Sequence, residues 1–136
     1  VLADIADVRT ASEMYGAASC ETFLVDARSS EQYAGTESGA GITRAGHIAG
    51  AMNVPWDYNV TADSVPVFRD ADTLRLLYGG CGVPLRASVI VYCRSGMQAS
   101  VTYFVLRYLG TDVRLYDGSY AEWSRITPAT KSALKN

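Results

Sequence analysis

The segment that most constrains the fold is 88–100, where an apolar, β-branched run ends at a cysteine and a helical pattern follows. This order predicts a buried strand, a tight loop and a helix. In open α/β sheets, ligands bind at the carboxyl ends of strands, where helix amino ends also present unpaired N–H groups. Cys93 stands at this position, between the predicted strand and the predicted helix.

The residues of this segment indicate a nucleophilic thiol. The helix amino end and the N–H groups of a short loop stabilise a thiolate, which makes Cys93 a better nucleophile near neutral pH. Arg94 adds a positive charge beside it. Ser95 and Gly96 are small, and glycine adopts a positive φ without penalty, so the loop can curl around one atom.

The rest of the chain alternates strands with helices. Residues 22–26 form an apolar run of strand length, and Thr10 and Glu13 have the spacing of a capping box, which predicts a helix over residues 11–18. Residues 98–109 are apolar on nearly all sides, which predicts a central helix packed on the sheet. The alternation predicts an α/β fold with a mostly parallel central sheet and helices on both faces.

Length and composition limit the class of protein. The 136 residues predict one domain, and 49% hydrophobic with 19% charged side chains indicate a globular rather than a disordered chain. The net charge is −2, and the sequence contains no run of like-charged residues. No apolar run has the length of a membrane span. We therefore expect a soluble protein, of unknown compartment, that binds neither nucleic acid nor a membrane.

The chain has three cysteines, Cys20, Cys81 and Cys93, with no C-x-x-C motif or Cys/His cluster. The odd number and the spacing predict neither a disulfide framework nor a zinc site. Cys20 and Cys81 are interpreted as small apolar side chains, because free cysteine is usually buried.

The loop Cys-Arg-Ser-Gly-Met-Gln at 93–98 resembles the active-site loop of the rhodanese family. Four further segments resemble that family in the same order: Leu-Val-Asp-Ala-Arg at 24–28, Glu-Gln-Tyr-Ala-Gly-Thr at 31–36, Gly-His-Ile-Ala-Gly-Ala-Met-Asn-Val-Pro-Trp at 46–56, and Tyr-Asp-Gly-Ser-Tyr-Ala-Glu-Trp at 116–123. The resemblance covers about residues 8–125 and leaves 127–136 as a tail. It implies that residues 1–136 form a single domain with the rhodanese-like fold.

In that family the loop cysteine carries a sulfane sulfur as a persulfide, so the resemblance implies that Cys93 is the catalytic residue of a sulfurtransferase. It implies small sulfur-containing anions, of the thiosulfate or 3-mercaptopyruvate class, as donors and a thiophilic acceptor such as cyanide or a thiol. Neither a metal ion nor an organic cofactor is implied. The persulfide would be bound by the loop residues that follow, Arg94, Ser95, Gly96, Met97 and Gln98.

The resemblance also implies roles outside the loop. Asp26 and Arg28 match family residues that support the active loop through an ion pair and hydrogen bonds. Residues 35–46 form a long, glycine-rich insert that is a candidate wall of the substrate pocket. Gln32, before this insert, and Arg44, within it, are the candidate substrate contacts.

The sequence departs from the family where the donor binds. Members that use thiosulfate have a lysine at the position of Ser95 and an arginine at that of Gln32, and neither charge is present here. The choice between the thiosulfate and mercaptopyruvate classes therefore stays open.

Two other side chains are predicted to be structural. His47, the only histidine, matches a structural position of the family, and a thiolate stabilised by backbone dipoles needs no base beside it. Trp123 is predicted to be a packing anchor rather than a platform for a ligand.

Two other functions fit a cysteine loop less well. A phosphatase of the Cys-x5-Arg type would have an arginine where Ala99 stands, and the loop is one residue short for a phosphate. A non-catalytic rhodanese-like interaction or regulatory module is the main alternative, although such modules typically lack the cysteine.

The insert at 35–46, the Pro-Trp at 55–56 and the ending at 117–123 resemble the catalytic, carboxyl-terminal half of two-domain sulfurtransferases. The chain also begins at Val1 rather than at a methionine. We therefore predict a second rhodanese domain or chain as a partner, and an apolar surface that this partner would cover.

Overall fold

The computed structural model describes residues 1–126; residues 127–136, predicted to be a tail, lie outside the described residues. Within residues 1–126, five parallel strands form one sheet in the order β1-β5-β4-β2-β3. The predicted α/β fold with a parallel sheet is confirmed. In chain order the elements are β1 (Leu2–Ala3), α1 (Ile5–Met14), β2 (Thr22–Asp26), α2 (Ser30–Ala34), β3 (Met52–Asn53), a 3₁₀ helix (Trp56–Asn59), α3 (Ala71–Gly80), β4 (Ser88–Tyr92), α4 (Met97–Tyr108), β5 (Asp112–Tyr116) and α5 (Ser119–Trp123).

Alternate side chains of the central strands point to opposite faces of the sheet, because the period of a strand is two residues. The aliphatic face, packed against α3 and α4, has the strand residues Val25, Val89, Val91 and Val113. The aromatic face, packed against α1 and α5, has the strand residues Leu24, Ile90, Tyr92 and Tyr116. Both layers are buried, and each fully buried side chain of this size contributes about 1.5–3 kcal/mol.

The strand order creates a crevice between β2 and β4. From β4 the chain continues through α4 to β5 on one side, and from β2 it continues through α2 to β3 on the other. The two connections leave in opposite directions, which opens the sheet at the carboxyl ends of this pair. Cys93 directly follows β4, and Asp26, which pairs with Tyr92, ends β2. The fold thus brings the candidate nucleophile and the candidate supporting residues to one edge.

The first helix begins earlier than predicted. Its cap is Asp4, whose carboxylate accepts a hydrogen bond from the Asp7 N–H, while the Asp7 carboxylate accepts one from the Asp4 N–H. The box predicted at Thr10 is wrong, because the Thr10 hydroxyl donates to the Ala6 carbonyl inside the helix. Strand β1 was not predicted, since two residues show no periodicity.

Helix α4 also differs from the prediction. It starts at Met97, one residue earlier than expected, and only one side of it faces the sheet. Its buried residues are Ala99, Thr102, Val105 and Leu106. Met97, Phe104 and Tyr108 are exposed instead of packed, because they lie on the side of the helix opposite its buried residues.

Candidate active site

The side chain of Cys93 lies on the aliphatic face, and only 1% of the residue is exposed. The Gly96 N–H donates to its sulfur, with 2.9 Å between Gly96 N and Cys93 Sγ. Gly96 has a φ of 102°, a left-handed conformation that glycine adopts without strain. The loop therefore curls around the sulfur and directs a backbone donor at it.

Gly96 is also required by the space around it. A Cβ at this position would lie 2.9 Å from Asp117 Oδ1 and 3.2 Å from the Asp117 carbonyl oxygen. Both distances are shorter than an ordinary van der Waals contact. The loop is thus confined between the sulfur of Cys93 and the turn that follows β5.

The other residues of the loop differ in exposure and contacts. Ser95, Met97 and Gln98 are exposed. Arg94 is half-buried, and its Nη1 donates to the Ala40 carbonyl over 3.0 Å. Arg94 therefore links the loop to the insert at 35–46.

The insert passes close to this loop at Gly39. A Cβ at residue 39 would lie 3.0 Å from Gln32 Nε2 and 3.1 Å from Arg94 Cδ. The φ of Gly39 is 88°, so a larger residue would be strained as well as crowded. Gln32, Arg94 and the insert thus form one continuous wall next to the loop.

Arg44, the second candidate substrate contact, is bonded to α5. Its Nη2 donates to the Trp123 carbonyl over 3.0 Å. Its buried Nε and Nη1 have no hydrogen-bond partner within residues 1–126. Trp123 is fully buried, as expected for a packing anchor. Arg44 therefore links the insert to α5, with its hydrogen bond directed to α5 and not to the loop.

Asp26 and Arg28 form a buried ion pair on the aromatic face. Both are fully buried, with 2.7 Å between Arg28 Nη2 and Asp26 Oδ2. Burial opposes the charge of Arg28, but the hydrogen bonds and the charge of Asp26 outweigh it and raise the pKa of Arg28. The guanidinium also lies 4.2 Å from the centroid of the Tyr120 ring, so the pair contacts α5.

Helix α5 in turn holds the backbone of the active loop. The Tyr120 N–H donates to the Cys93 carbonyl over 2.9 Å, and the Ala121 N–H donates to the Arg94 carbonyl over 3.0 Å. The Cys93 N–H donates to Ser119 Oγ over 3.2 Å. The motif at 116–123 was recognisable in the sequence, but this role of its residues was not predicted. The signal that could have indicated it is the Asp-Gly-Ser turn directly after β5, because the carboxyl ends of parallel strands lie at the same edge of the sheet.

His47 has the surroundings of a structural residue. Its ring stacks on Tyr33, with 3.6 Å between centroids, and its Nδ1 lies 2.8 Å from the Tyr33 carbonyl oxygen. Because that oxygen can only accept, Nδ1 carries the proton. Burial lowers the pKa of His47, while the hydrogen bond to Tyr33 partly opposes this shift. The ring is therefore neutral at pH 7.

An apolar surface runs from the loop along the outer side of α4. Met97, Phe104 and Tyr108 are 80%, 57% and 68% exposed and recur at helical spacing on one side. Phe68, which precedes α3, lies against Phe104 with 5.6 Å between ring centroids. We call Phe68, Met97, Phe104 and Tyr108 the α4 patch. It agrees with the expectation of an exposed apolar surface.

Neither a metal-binding cluster nor a membrane-spanning helix is found in the described part of the chain. Among residues 1–126, no group of three or more His, Cys, Asp or Glu side chains is arranged to hold a metal ion. No helix in that same part combines the length and the apolar character needed to cross a membrane.

Known proteins resemble this chain in sequence. The family model of the rhodanese-like domain matches residues 7–126. The sulfur carrier protein TtuD of Thermus thermophilus is 40% identical over a 111-residue alignment that covers 76% of this chain and 38% of TtuD. A Mycobacterium tuberculosis protein with the provisional name thiosulfate sulfurtransferase SseA is 40% identical over 108 residues, 74% of this chain and 35% of that protein.

Solved structures share the fold. SseA of Escherichia coli, described as a 3-mercaptopyruvate sulfotransferase, matches 88% of this chain and 42% of its own, with 31% identity and a TM-score of 0.70. Tum1 of Saccharomyces cerevisiae matches 97% and 45%, with 22% identity and a TM-score of 0.78. This chain thus spans less than half the length of these relatives. Because the family model matches nearly the whole described chain, and sequence identities reach 40%, this protein belongs to the rhodanese-like family.

Proposed function

We propose that this chain is the catalytic domain of a sulfurtransferase in which Cys93 carries the sulfane sulfur. The observation that carries the proposal is the Gly96 N–H, which donates to Cys93 Sγ from a loop curled at the carboxyl end of β4. A fixed backbone donor at this position stabilises a thiolate, and the persulfide anion formed from it. Membership of the rhodanese-like family, and relatives named as sulfurtransferases, support the same activity.

The reaction takes two steps. The Cys93 thiolate attacks the outer sulfur of the donor, an S–S bond forms, and the donor's own bond to that sulfur breaks with its electron pair on the leaving group. With thiosulfate the leaving group is sulfite; with 3-mercaptopyruvate it is the pyruvate carbanion, which takes up a proton. A thiolate or cyanide acceptor then attacks the terminal sulfur of the persulfide, and the Cys93 thiolate leaves with its electron pair.

The wall beside the loop supports a small anionic donor. Arg94 uses Nη1 for the Ala40 carbonyl, which leaves its other guanidinium donors for a sulfonate or carboxylate group. Gln32 adds a neutral amide to the same wall. A comparison of turnover with thiosulfate and with 3-mercaptopyruvate, using cyanide as the acceptor, distinguishes the two donor classes.

Mass spectrometry tests the role of Cys93 directly. Incubation with a donor should add about 32 Da per chain, the mass of one sulfur atom, and turnover should show ping-pong kinetics. Cys93→Ser should abolish both the mass increase and turnover, while the matched variant Cys81→Ser should retain both. A persulfide on the Cys93→Ser chain would contradict the assignment. No mass increase with any donor on the natural chain would favour the non-catalytic interaction module.

We also propose that the α4 patch is covered by a second rhodanese-like domain. The matched relatives have more than half of their length outside the region that this chain matches, which is room for another domain. The patch begins at Met97, which belongs to the loop and is the first residue of α4, so a domain seated there would border the pocket. An exposed apolar surface of this kind is typical of an interface.

A further inference from the structure

Ser119 connects the ends of two strands at the active site. Its Oγ accepts a hydrogen bond from the Cys93 N–H over 3.2 Å and donates one to the Tyr116 carbonyl over 2.9 Å. The residue is fully buried, so water does not compete for these bonds. One hydroxyl thus ties the residue that follows β4 to the last residue of β5.

The backbone of Ser119 is strained. With a φ of 57°, it is the one non-glycine residue with a positive φ within residues 1–126. L-residues are disfavoured in this region, whereas glycine adopts it freely. The backbone at this position favours glycine, yet the chain has a serine there. The hydroxyl of that serine bonds to the Cys93 N–H. Such a strained residue at a candidate site suggests a role in function.

Ser119 works together with the residue that follows it. The Cys93 carbonyl accepts from the Tyr120 N–H, so the first turn of α5 binds both backbone polar groups of Cys93. These two bonds orient the Cα–Cβ bond of Cys93. They thereby set where the sulfur lies relative to the Gly96 N–H.

We propose that Ser119 is a positioning residue for the sulfur-transfer reaction, which holds the backbone of Cys93 so that its sulfur stays at the Gly96 N–H. This inference rests on the proposed function of Cys93. Without the hydroxyl, the buried Cys93 N–H and Tyr116 carbonyl lose their partner, and the peptide of Cys93 rotates to find another. A small displacement of a reacting atom is enough to slow a reaction substantially.

The test uses two variants and a matched control. Ser119→Ala removes the hydroxyl and keeps the strain, whereas Ser119→Gly removes both, and is the variant that the backbone accommodates most readily. The control is Ser124→Ala. Ser124 is also buried, and its Oγ accepts from the Thr43 N–H over 3.1 Å and donates to the Ala121 carbonyl over 3.2 Å. The control thus loses the same kinds of hydrogen bond without touching Cys93.

The first readout is the rate at which iodoacetamide alkylates each cysteine, followed by peptide mass spectrometry. Both Ser119 variants should lower the rate at Cys93 at least about tenfold, with Cys20 and Cys81 unchanged as internal references. Ser124→Ala should leave all three rates within about twofold. A general loosening of the fold would instead raise the rates at all three cysteines. That result, or an unchanged rate at Cys93 in Ser119→Gly, overturns the inference.

The second readout separates this inference from the proposed function. Because Ser119 is fully buried and its hydroxyl bonds to the backbone of Cys93 and Tyr116, both variants should lower kcat for sulfur transfer and leave KM for the donor nearly unchanged. If the natural chain never takes up sulfur but Ser119→Gly still slows alkylation of Cys93, the proposed function fails and the positioning role stands. If Ser119→Gly takes up sulfur at the natural rate, the positioning role fails and the function stands.

Discussion

The two faces of the sheet contribute to the site in different ways. The aliphatic face contains the sulfur of Cys93 among apolar side chains of β4 and α4. The aromatic face contains the buried Asp26–Arg28 pair and the side chains of α5, the helix that binds the backbone of Cys93. Apolar packing tolerates small shifts, whereas buried polar groups need partners in fixed positions. We infer that the aliphatic face shelters the sulfur of Cys93 and that the aromatic face fixes where it lies.

Of the substitutions considered, Arg28→Met should lower the stability most, because it removes one partner of the buried ion pair on the aromatic face. It leaves the fully buried Asp26 carboxylate without a cation, which lowers the free energy of unfolding by about 3–5 kcal/mol. Urea unfolding followed by tryptophan fluorescence measures the loss. A loss below about 1 kcal/mol would show that the pair is dispensable to this face.

The double variant Asp26→Leu with Arg28→Met is the control for this prediction. If the loss in Arg28→Met comes from the unpaired carboxylate, removing both charges should restore much of the stability. If the double variant is as unstable as Arg28→Met, the loss comes from the hydrogen bonds to the surrounding backbone. One of these joins Arg28 Nη2 to the Gly46 carbonyl over 2.6 Å.

Gly96→Ala tests the loop, which lies between the sulfur of Cys93 on the aliphatic face and the turn at Asp117 that leads into α5. Gly96 and Gly110 both have a positive φ, of 102° and 88°, so alanine costs about 1 kcal/mol or more at either position. Only at Gly96 would the new Cβ collide with Asp117, whereas nothing lies within 4 Å of it at Gly110. Gly96→Ala should therefore cost about 1–3 kcal/mol more than Gly110→Ala.

The same pair of variants has a second readout. Alkylation of Cys93 should slow in Gly96→Ala, because the displaced loop no longer presents its N–H to the sulfur. Gly110→Ala should leave the rate unchanged. Equal rates in the two variants would mean that the loop does not activate the thiol.

The parts of the fold that could be predicted from the sequence are those with a local pattern. β4, the loop and the parallel sheet follow from a β-branched run, a glycine and the alternation of elements, all of which are local patterns. The start of α1 was mispredicted because two capping motifs lie six residues apart and only the Asp4 motif forms. The exposed side of α4 was missed because hydrophobicity does not indicate which sides of a helix find a neighbour.

At the site, too, residues with a local pattern could be predicted, and residues defined by tertiary contacts could not. Cys93, the loop and the Asp26–Arg28 pair could be proposed from residue types and from the family resemblance. The roles of Ser119 and Arg44 depend on contacts between segments far apart in the chain, and no local pattern contains them. The residues predicted at 93–98 remain a prediction until a donor is shown to load Cys93.

His47→Gln should have a smaller effect, visible mainly in its pH dependence. The pKa of His47 is lowered from 6.5 by burial, so the unfolded chain takes up the proton first. The natural chain should keep its full stability above about pH 6.5 and lose some as the pH falls through the lowered pKa. Because His47 is the only histidine, His47→Gln should flatten this dependence between pH 7 and 5. Identical slopes in urea unfolding would contradict the assignment.

Phe104→Ser should have the smallest effect on stability. It tests the α4 patch, on the side of α4 that faces away from the sheet. Phe104 is 57% exposed, and replacing it should change the free energy of unfolding by no more than about 0.5 kcal/mol. Leu76→Ser, on α3, is the control, because Leu76 is 78% exposed and lies outside the α4 patch.

If a second rhodanese-like domain covers the α4 patch, as we propose, then amides of α4 should be protected from hydrogen exchange in a chain that includes both domains. Phe104→Ser should reduce this protection and Leu76→Ser should not, because an apolar side chain matters to an interface only where a partner buries it. Equal protection in both variants would place the neighbouring domain elsewhere. The outer side of α4 would then be a solvent-exposed surface, and the difference between the two faces would be confined to the interior.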